Sequence, residues 1–282
     1  MRIRNTILSG LLMLFTGLSA GSQTIDSTLF PYCRSLYIQG KLKEARDCYL
    51  IHDTNIYAID AAARISRKLN ERKEFKKLSK MLLSKGHQSG ISYKLYAELN
   101  ADDPSKYIKI IRKGLKVFEN DTTLLTDLAN YYLTKKIFAD ALSTVNKLLV
   151  LKKDDKKSLY FAKGYAYQML NDDENALVYY NKAIELDSGY YDPYFNIASV
   201  YYNQAVKLLD DAIYVKNDVK YRNLRVKGNE ILAKAIPYLR KADSIKPDNL
   251  TVLNILKTIY YRLGYENEYQ EISKRIDILH SE

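Results

Sequence analysis

The chain has 282 residues, room for one or two domains at ~150 residues each. Gly 11 and Pro 5 are about half of ordinary usage, too few turn-formers for an all-β chain. With 47% hydrophobic and 27% charged residues and a net charge of +11, neither a disordered chain nor a membrane bundle fits. Long helices joined by tight turns are what remains.

Residues 1–22 have the layout of a secretory signal peptide. Arg2 and Arg4 form a basic start, Ile7 to Leu18 an apolar run too short to span a bilayer, and Ser19, Ala20, Gly21 and Ser22 a small-residue end. The alternative is a buried N-terminal helix. Cleavage after Ser22 leaves Gln23 first, and the loss of two arginines lowers the charge to +9. No cysteine ends the apolar run, so a lipid anchor is not expected. No later segment reaches the ~18 apolar residues of a membrane helix. The expected location is periplasmic or extracellular.

Cys33 and Cys48 are the only cysteines. A turn at Gly40–Lys41 stands almost midway between them, so two antiparallel helices bring them to one height. An oxidising compartment permits a disulfide there, and two buried thiols are the alternative. His52 shares a face with Cys48 at i, i+4, but three ligands fall short of a zinc site.

Two basic stripes follow. Lys73, Lys76, Lys77 and Lys80 lie opposite Phe75, Leu78 and Leu82; Lys109, Arg112, Lys113 and Lys116 surround Ile111 and Leu115. A solvated helix face is the ordinary reading. The sharper one is an anionic partner, whether lipid head groups, an acidic polysaccharide or an acidic protein. Nucleic acid is not expected, since no arginine-rich or stacking motif accompanies the charge.

Internal repetition organises the rest. Tyr132, Tyr167 and Tyr201 share one register, with Ala129, Gly164 and Ala198 three positions before each. A second helix follows each time, marked by Ala141, Ala176 and Ala235, then Val145, Tyr180 and Leu239, then Leu148, Ala183 and Ala242. Small residues where two helix axes cross let the backbones approach, and large ones fill the flanks. The clearest copy is Tyr160-x3-Gly164-x2-Tyr167 followed by Ala176-x3-Tyr180-x2-Ala183. Markers of the second helices at Ala45, Phe75, Tyr107, Ala141, Ala176, Ala235 and Tyr269 are spaced 30, 32, 34, 35, 59 and 34 residues apart.

This pattern resembles the tetratricopeptide repeat (TPR) family, whose period is ~34 residues. The resemblance is specific over Leu125–Pro247 and degenerate in the first three units and in the last, as suits terminal repeats with one exposed face. It implies an all-α, right-handed superhelical solenoid of about seven antiparallel helix pairs, with degenerate repeats over 23–121 and clearer ones over 122–282. The gap of 59 holds a longer element at about 203–234. Its apolar positions Ala205, Leu208, Leu209, Ala212 and Val215 keep helical spacing, and only Lys216-Asn217-Asp218 breaks them. An elongated helical hairpin is expected there, with a disordered loop as the alternative.

By the family's register, the inner groove is lined by Thr126, Asn130, Phe161, Tyr165, Gln168, Phe195, Ser199, Tyr202, Asn254 and Tyr261. Phe161 and Tyr165 stand where the chaperone-tail subgroup carries its carboxylate-clamping Lys and Asn, so that activity is not implied. Aromatics with Asn, Gln and Thr suit a peptide backbone or sugar rings. In this family the second helices line the convex side, so the two basic stripes should merge into one patch. His52, His87 and His280 fall in different repeats, and no glycine-rich phosphate loop occurs. No catalytic residues, metal or cofactor are expected. The resemblance implies a non-enzymatic interaction scaffold, and the leader-like start adds the bacterial envelope as its expected place, with a binding module for an anionic or glycan component as the alternative.

Overall fold

The computed structural model describes residues 30–85, 90–152 and 154–281. The signal-peptide expectation over 1–22 and His87 lie outside them. Among the described residues there are fourteen helices and no strand.

They form two compact units, described separately. In the N-terminal unit the order is α1 (Pro31–Ile38), α2 (Leu42–Leu50), α3 (Ile56–Lys68), α4 (Arg72–Ser84), α5 (Ile91–Glu98), α6 (Pro104–Val117), α7 (Thr122–Thr134) and α8 (Phe138–Leu151). The C-terminal unit has α9 (Lys156–Met169), α10 (Asp173–Leu186), α11 (Tyr191–Ile213), α12 (Asp218–Ile245), α13 (Leu250–Leu263) and α14 (Glu266–Ser281). Odd and even helices pair, and the pairs stack within each unit, with α3 touching α5, α5 touching α7, and α9 touching α11. The units part at residues 152–153, one pair beyond the boundary at 121–122 that repeat quality draws. The reason is local: the backbone N–H of Gly90 donates to Asp121 Oδ2 at 2.6 Å, and Leu124 packs on Gly90 and Gly114. These contacts bind α7 to the degenerate pair before it.

Every marker of the repeat lies on an even-numbered helix. Ala45, Ala141, Ala176 and Ala235 are fully buried, and so are Val145, Leu148, Tyr180 and Ala183. Gly164 shows why the crossing point is small. A Cβ there would meet the Tyr180 ring at 2.7 Å and the Ala176 carbonyl oxygen at 3.1 Å. The gap of 59 residues is one hairpin, α11–α12, of 23 and 28 residues. Pro237 lies inside α12, which therefore lacks one backbone donor at that turn.

Five of the turns within pairs are built alike. Gly40, Asn70, Lys136, Asn171 and Gly264 each have φ between 60° and 77°. In each, that residue's N–H donates to the carbonyl three back, and the next N–H donates to the carbonyl five back from itself, as Gly40→Tyr37 and Lys41→Leu36 do. This is the Schellman arrangement, which satisfies the last carbonyls of a helix and turns the chain. Side chains of Asn55, Asp103, Asp121, Asp172, Asn217 and Asn249 cap the following helices by accepting backbone N–H bonds. Among the described residues no helix is long and apolar enough to cross a membrane.

Candidate functional site

The odd-numbered helices carry the face that the repeat register marks as the inner one. In the C-terminal unit its residues divide sharply. Phe161, Tyr165, Gln168 and Ser199 are buried, whereas Phe195 and Tyr202 are half-buried and Asn254 and Tyr261 exposed. Phe161 is covered by two rings, Tyr180 of its own pair and Tyr190 at the start of α11, each 5.5 Å away between centroids. Gln168 accepts a hydrogen bond from the Tyr180 hydroxyl at 2.6 Å in the interior. Ser199 donates to the Phe195 carbonyl at 2.9 Å. Those four side chains therefore pack the repeat, and the surface expected from them is not open.

What remains accessible is a row on α11 and α13. Phe195 stacks on Tyr191 at 6.0 Å with ring planes 13° apart, and Lys246 lies 4.3 Å over the Tyr191 ring. Burial pushes the Asp192 carboxyl up, with Lys246 opposing. Burial also raises the Tyr202 hydroxyl, and Arg262 of α13 counters it. Tyr261 is 74% exposed while its neighbour Tyr260 is 2% exposed and accepts from Arg240 Nε at 2.8 Å. Asn254 donates its amide to the Leu250 carbonyl at 2.7 Å. One ring of the pair is thus structural and the next projects outward.

Asn130 and Thr126 belong to the other unit, on α7. There the same face is charged, which the register did not bring out. Arg64 pairs with Asp60 through Nε at 3.0 Å, Arg67 with Glu98 at 2.6 Å, and Lys94 with Asp127 at 3.4 Å. The last two pairs link α3 to α5 and α5 to α7. Burial pushes the Glu98 and Asp127 carboxyls up; Arg67 and Lys94 respectively offset part of that. The Oδ1 of Asn130 is buried without a hydrogen-bond partner. Lys94 and Glu98 stand four positions apart on one face of α5, a helix of eight residues, too short to show the repeat, and their partners lie 33 and 31 positions away.

The eight basic residues expected to form a patch are all exposed, four on α4 and four on α6, the second helices of successive pairs. Arg112 donates to the Tyr132 hydroxyl at 3.1 Å, and Lys77 pairs with Glu74 at 3.4 Å. Cys33 and Cys48 are joined by a disulfide, with Cα atoms 5.4 Å apart. Among the described residues no group of three His, Cys, Asp or Glu side chains stands close enough to hold a metal ion.

Stacked antiparallel helix pairs with side chains presented along their first helices define a helical-repeat protein. Its fold is TPR-like. The crystal structure of MamA is 21% identical over 65% of this chain and 87% of its own, at a TM-score of 0.50. The C-terminal part of a TPR repeat-containing protein from Cytophaga hutchinsonii is 15% identical, covering 86% of this chain and 98% of its own, at 0.52. The APC/C hetero-tetramer Cut9–Hcn1 gives 16% identity, 91% and 46% coverage, and 0.54. No protein-family model matches the chain. No curated protein matches it either.

Proposed function

We propose that this chain is an exported, non-enzymatic scaffold of the bacterial cell envelope, holding a protein or peptide along the first-helix face of its C-terminal unit. The observation that carries this reading is the row of Phe195, Tyr202, Asn254 and Tyr261, whose aromatic rings are partly or largely accessible beside polar neighbours. Rigid rings of this kind supply contact area at low entropic cost. The Cys33–Cys48 disulfide and the leader-like residues 1–22 support export, because disulfides persist in oxidising compartments. The test is recovery of partners from envelope extracts with the triple variant Phe195→Ala, Tyr202→Ala, Tyr261→Ala. Partner recovery should vanish with helicity unchanged, since hot-spot aromatics contribute ~2 kcal/mol or more each. Undiminished recovery refutes the assignment.

A second reading rests on the exposed cations of α4 and α6, which suit an anionic lipid or acidic polysaccharide. Such binding weakens steeply with salt. The charge reversals Lys76→Glu, Lys80→Glu, Lys109→Glu and Lys113→Glu should abolish it and leave the aromatic row's partner bound. Binding that survives these reversals rules this reading out.

A further inference from the structure

The α11–α12 hairpin outgrows the repeat that contains it. α11 has 23 residues and α12 has 28, against 14 each in α9, α10 and α13. At the rise of an α-helix this adds about 14 Å to one arm and about 21 Å to the other. The hairpin seals its own interior: Ala205, Leu209, Ala212 and Leu232 are buried, and a Cβ on Gly228 would stand 2.7 Å from Leu209. No further apolar residue is needed to hold it together.

Its free end nevertheless carries several. Ile213 is 72% exposed, Tyr214 85% and Val219 61%, with Val226 at 57% two turns along the same face of α12. Single exposed apolar residues are ordinary; several at one protruding end are a patch. Around them stand Lys216, Lys220, Arg222, Arg225 and Lys227, all exposed, with Asp218 as the one carboxylate between positions 213 and 227. Asp210 and Asp211 precede the end on α11. Arg225 donates to the Tyr221 hydroxyl and Arg222 to the Asp218 carbonyl. Among the described residues none of these five cations forms an ion pair.

We propose that this end docks on an anionic lipid surface. Ile213, Tyr214 and Val219 enter the boundary between head groups and acyl chains, and the five cations lie against the phosphates, their alkyl stems reaching along the apolar layer. A soluble anion would use the charges and leave the apolar tip idle. A second copy of the tip would set five like charges against five. The inference goes beyond the scaffold reading and does not depend on the aromatic row.

The chain contains no Trp, so Tyr214→Trp places the only indole at the tip. Because the reporter is local, binding through any other segment leaves its emission unshifted. With phosphatidylcholine vesicles containing phosphatidylglycerol, the emission should shift to the blue and the shift should fade with added salt. Pure phosphatidylcholine should give none. In the same background Ile213→Ser with Val219→Ser should remove the shift. Lys220→Glu, Arg222→Glu and Arg225→Glu together should weaken vesicle affinity by more than about a hundredfold, helicity being unchanged. The four reversals on α4 and α6 should leave the shift intact. No shift with phosphatidylglycerol vesicles overturns the proposal. So does a shift indifferent to the tip reversals, or one that grows with protein concentration in the absence of lipid.

Discussion

The hydroxyl of Tyr180 donates to Oε1 of Gln168 at 2.6 Å, a bond closed off from solvent between α9 and α10. Tyr180 is fully buried and Gln168 nearly so. Removing one partner leaves the other without a bond it cannot replace, which costs about 1–3 kcal/mol. Tyr180→Phe and Gln168→Leu should each destabilise the C-terminal unit by that much. The double variant should cost less than their sum, and a double-mutant cycle in urea measures the difference. Strict additivity would show that the bond contributes nothing.

Gly164 faces the same ring. In most helices Gly→Ala stabilises, by up to about 1 kcal/mol. Here the added methyl meets Tyr180 at 2.7 Å, and the ring is held by Gln168 and cannot swing away. Gly164→Ala should therefore destabilise by about 1–3 kcal/mol. A gain in thermal midpoint would contradict this packing.

Lys136 is the odd member of the five equivalent turns. Its φ is 60°, a conformation that glycine adopts freely and asparagine tolerates. Lys136→Gly should stabilise the N-terminal unit by roughly 1 kcal/mol, read from the urea midpoint. Replacing Gly40 by Lys should do the reverse.

Glu98 and Asp127 give the N-terminal unit a pH dependence with a definite sign. Both carboxyls are raised in the folded state, by burial first. Their contribution is therefore full below the unfolded carboxylate pKa of about 4 and is lost as pH rises through the folded values. Comparing the protein with Glu98→Gln, Asp127→Asn isolates this part from other carboxylates such as Asp187, which Lys157 holds down. From about pH 4 upward the parent should lose stability relative to the variant. Parallel curves would remove these two groups from the account. Lys94→Met, which takes away the ion pair of Asp127 and leaves it its hydrogen bond with Tyr107, should cost about 1–3 kcal/mol at neutral pH.

The disulfide encloses a sequence separation of 15 residues, for which loop closure gives about 3 kcal/mol. Cys33→Ala with Cys48→Ala should lower stability by up to that amount. Thiol labelling of unreduced protein from an exporting host should find nothing. Two reactive thiols there would contradict the bond.

The pairing of helices was legible because it depends on backbone approach. Ala45, Ala141, Ala176 and Ala235 are small where the axes cross, and Tyr180 and Leu239 fill the flanks. These requirements leave fixed spacings in the chain. The elongated hairpin was legible for the same reason, since Ala205, Leu209 and Ala212 keep the period across it. Accessibility along the inner face was not. Phe161 has the register of a surface residue, but Tyr190, outside the repeat motif, folds over it. The charged face of the N-terminal unit was hidden by the shortness of α5 and by partners 31 and 33 positions apart. Ion pairs between successive repeats leave no local spacing to find.

In a stack where each pair leans only on its neighbours, an end pair has one neighbour and frays first. α1–α2 is the first described pair, and its helices, eight and nine residues long, are among the shortest in the array. Cys33–Cys48 ties these two helices together. While the bond is intact the pair can loosen only as a unit, and Arg46 still holds Glu71 of the next one. Reduction frees α1 to peel away alone. Reduction should therefore show first as faster amide exchange across Pro31–Ile38 than across Leu42–Leu50.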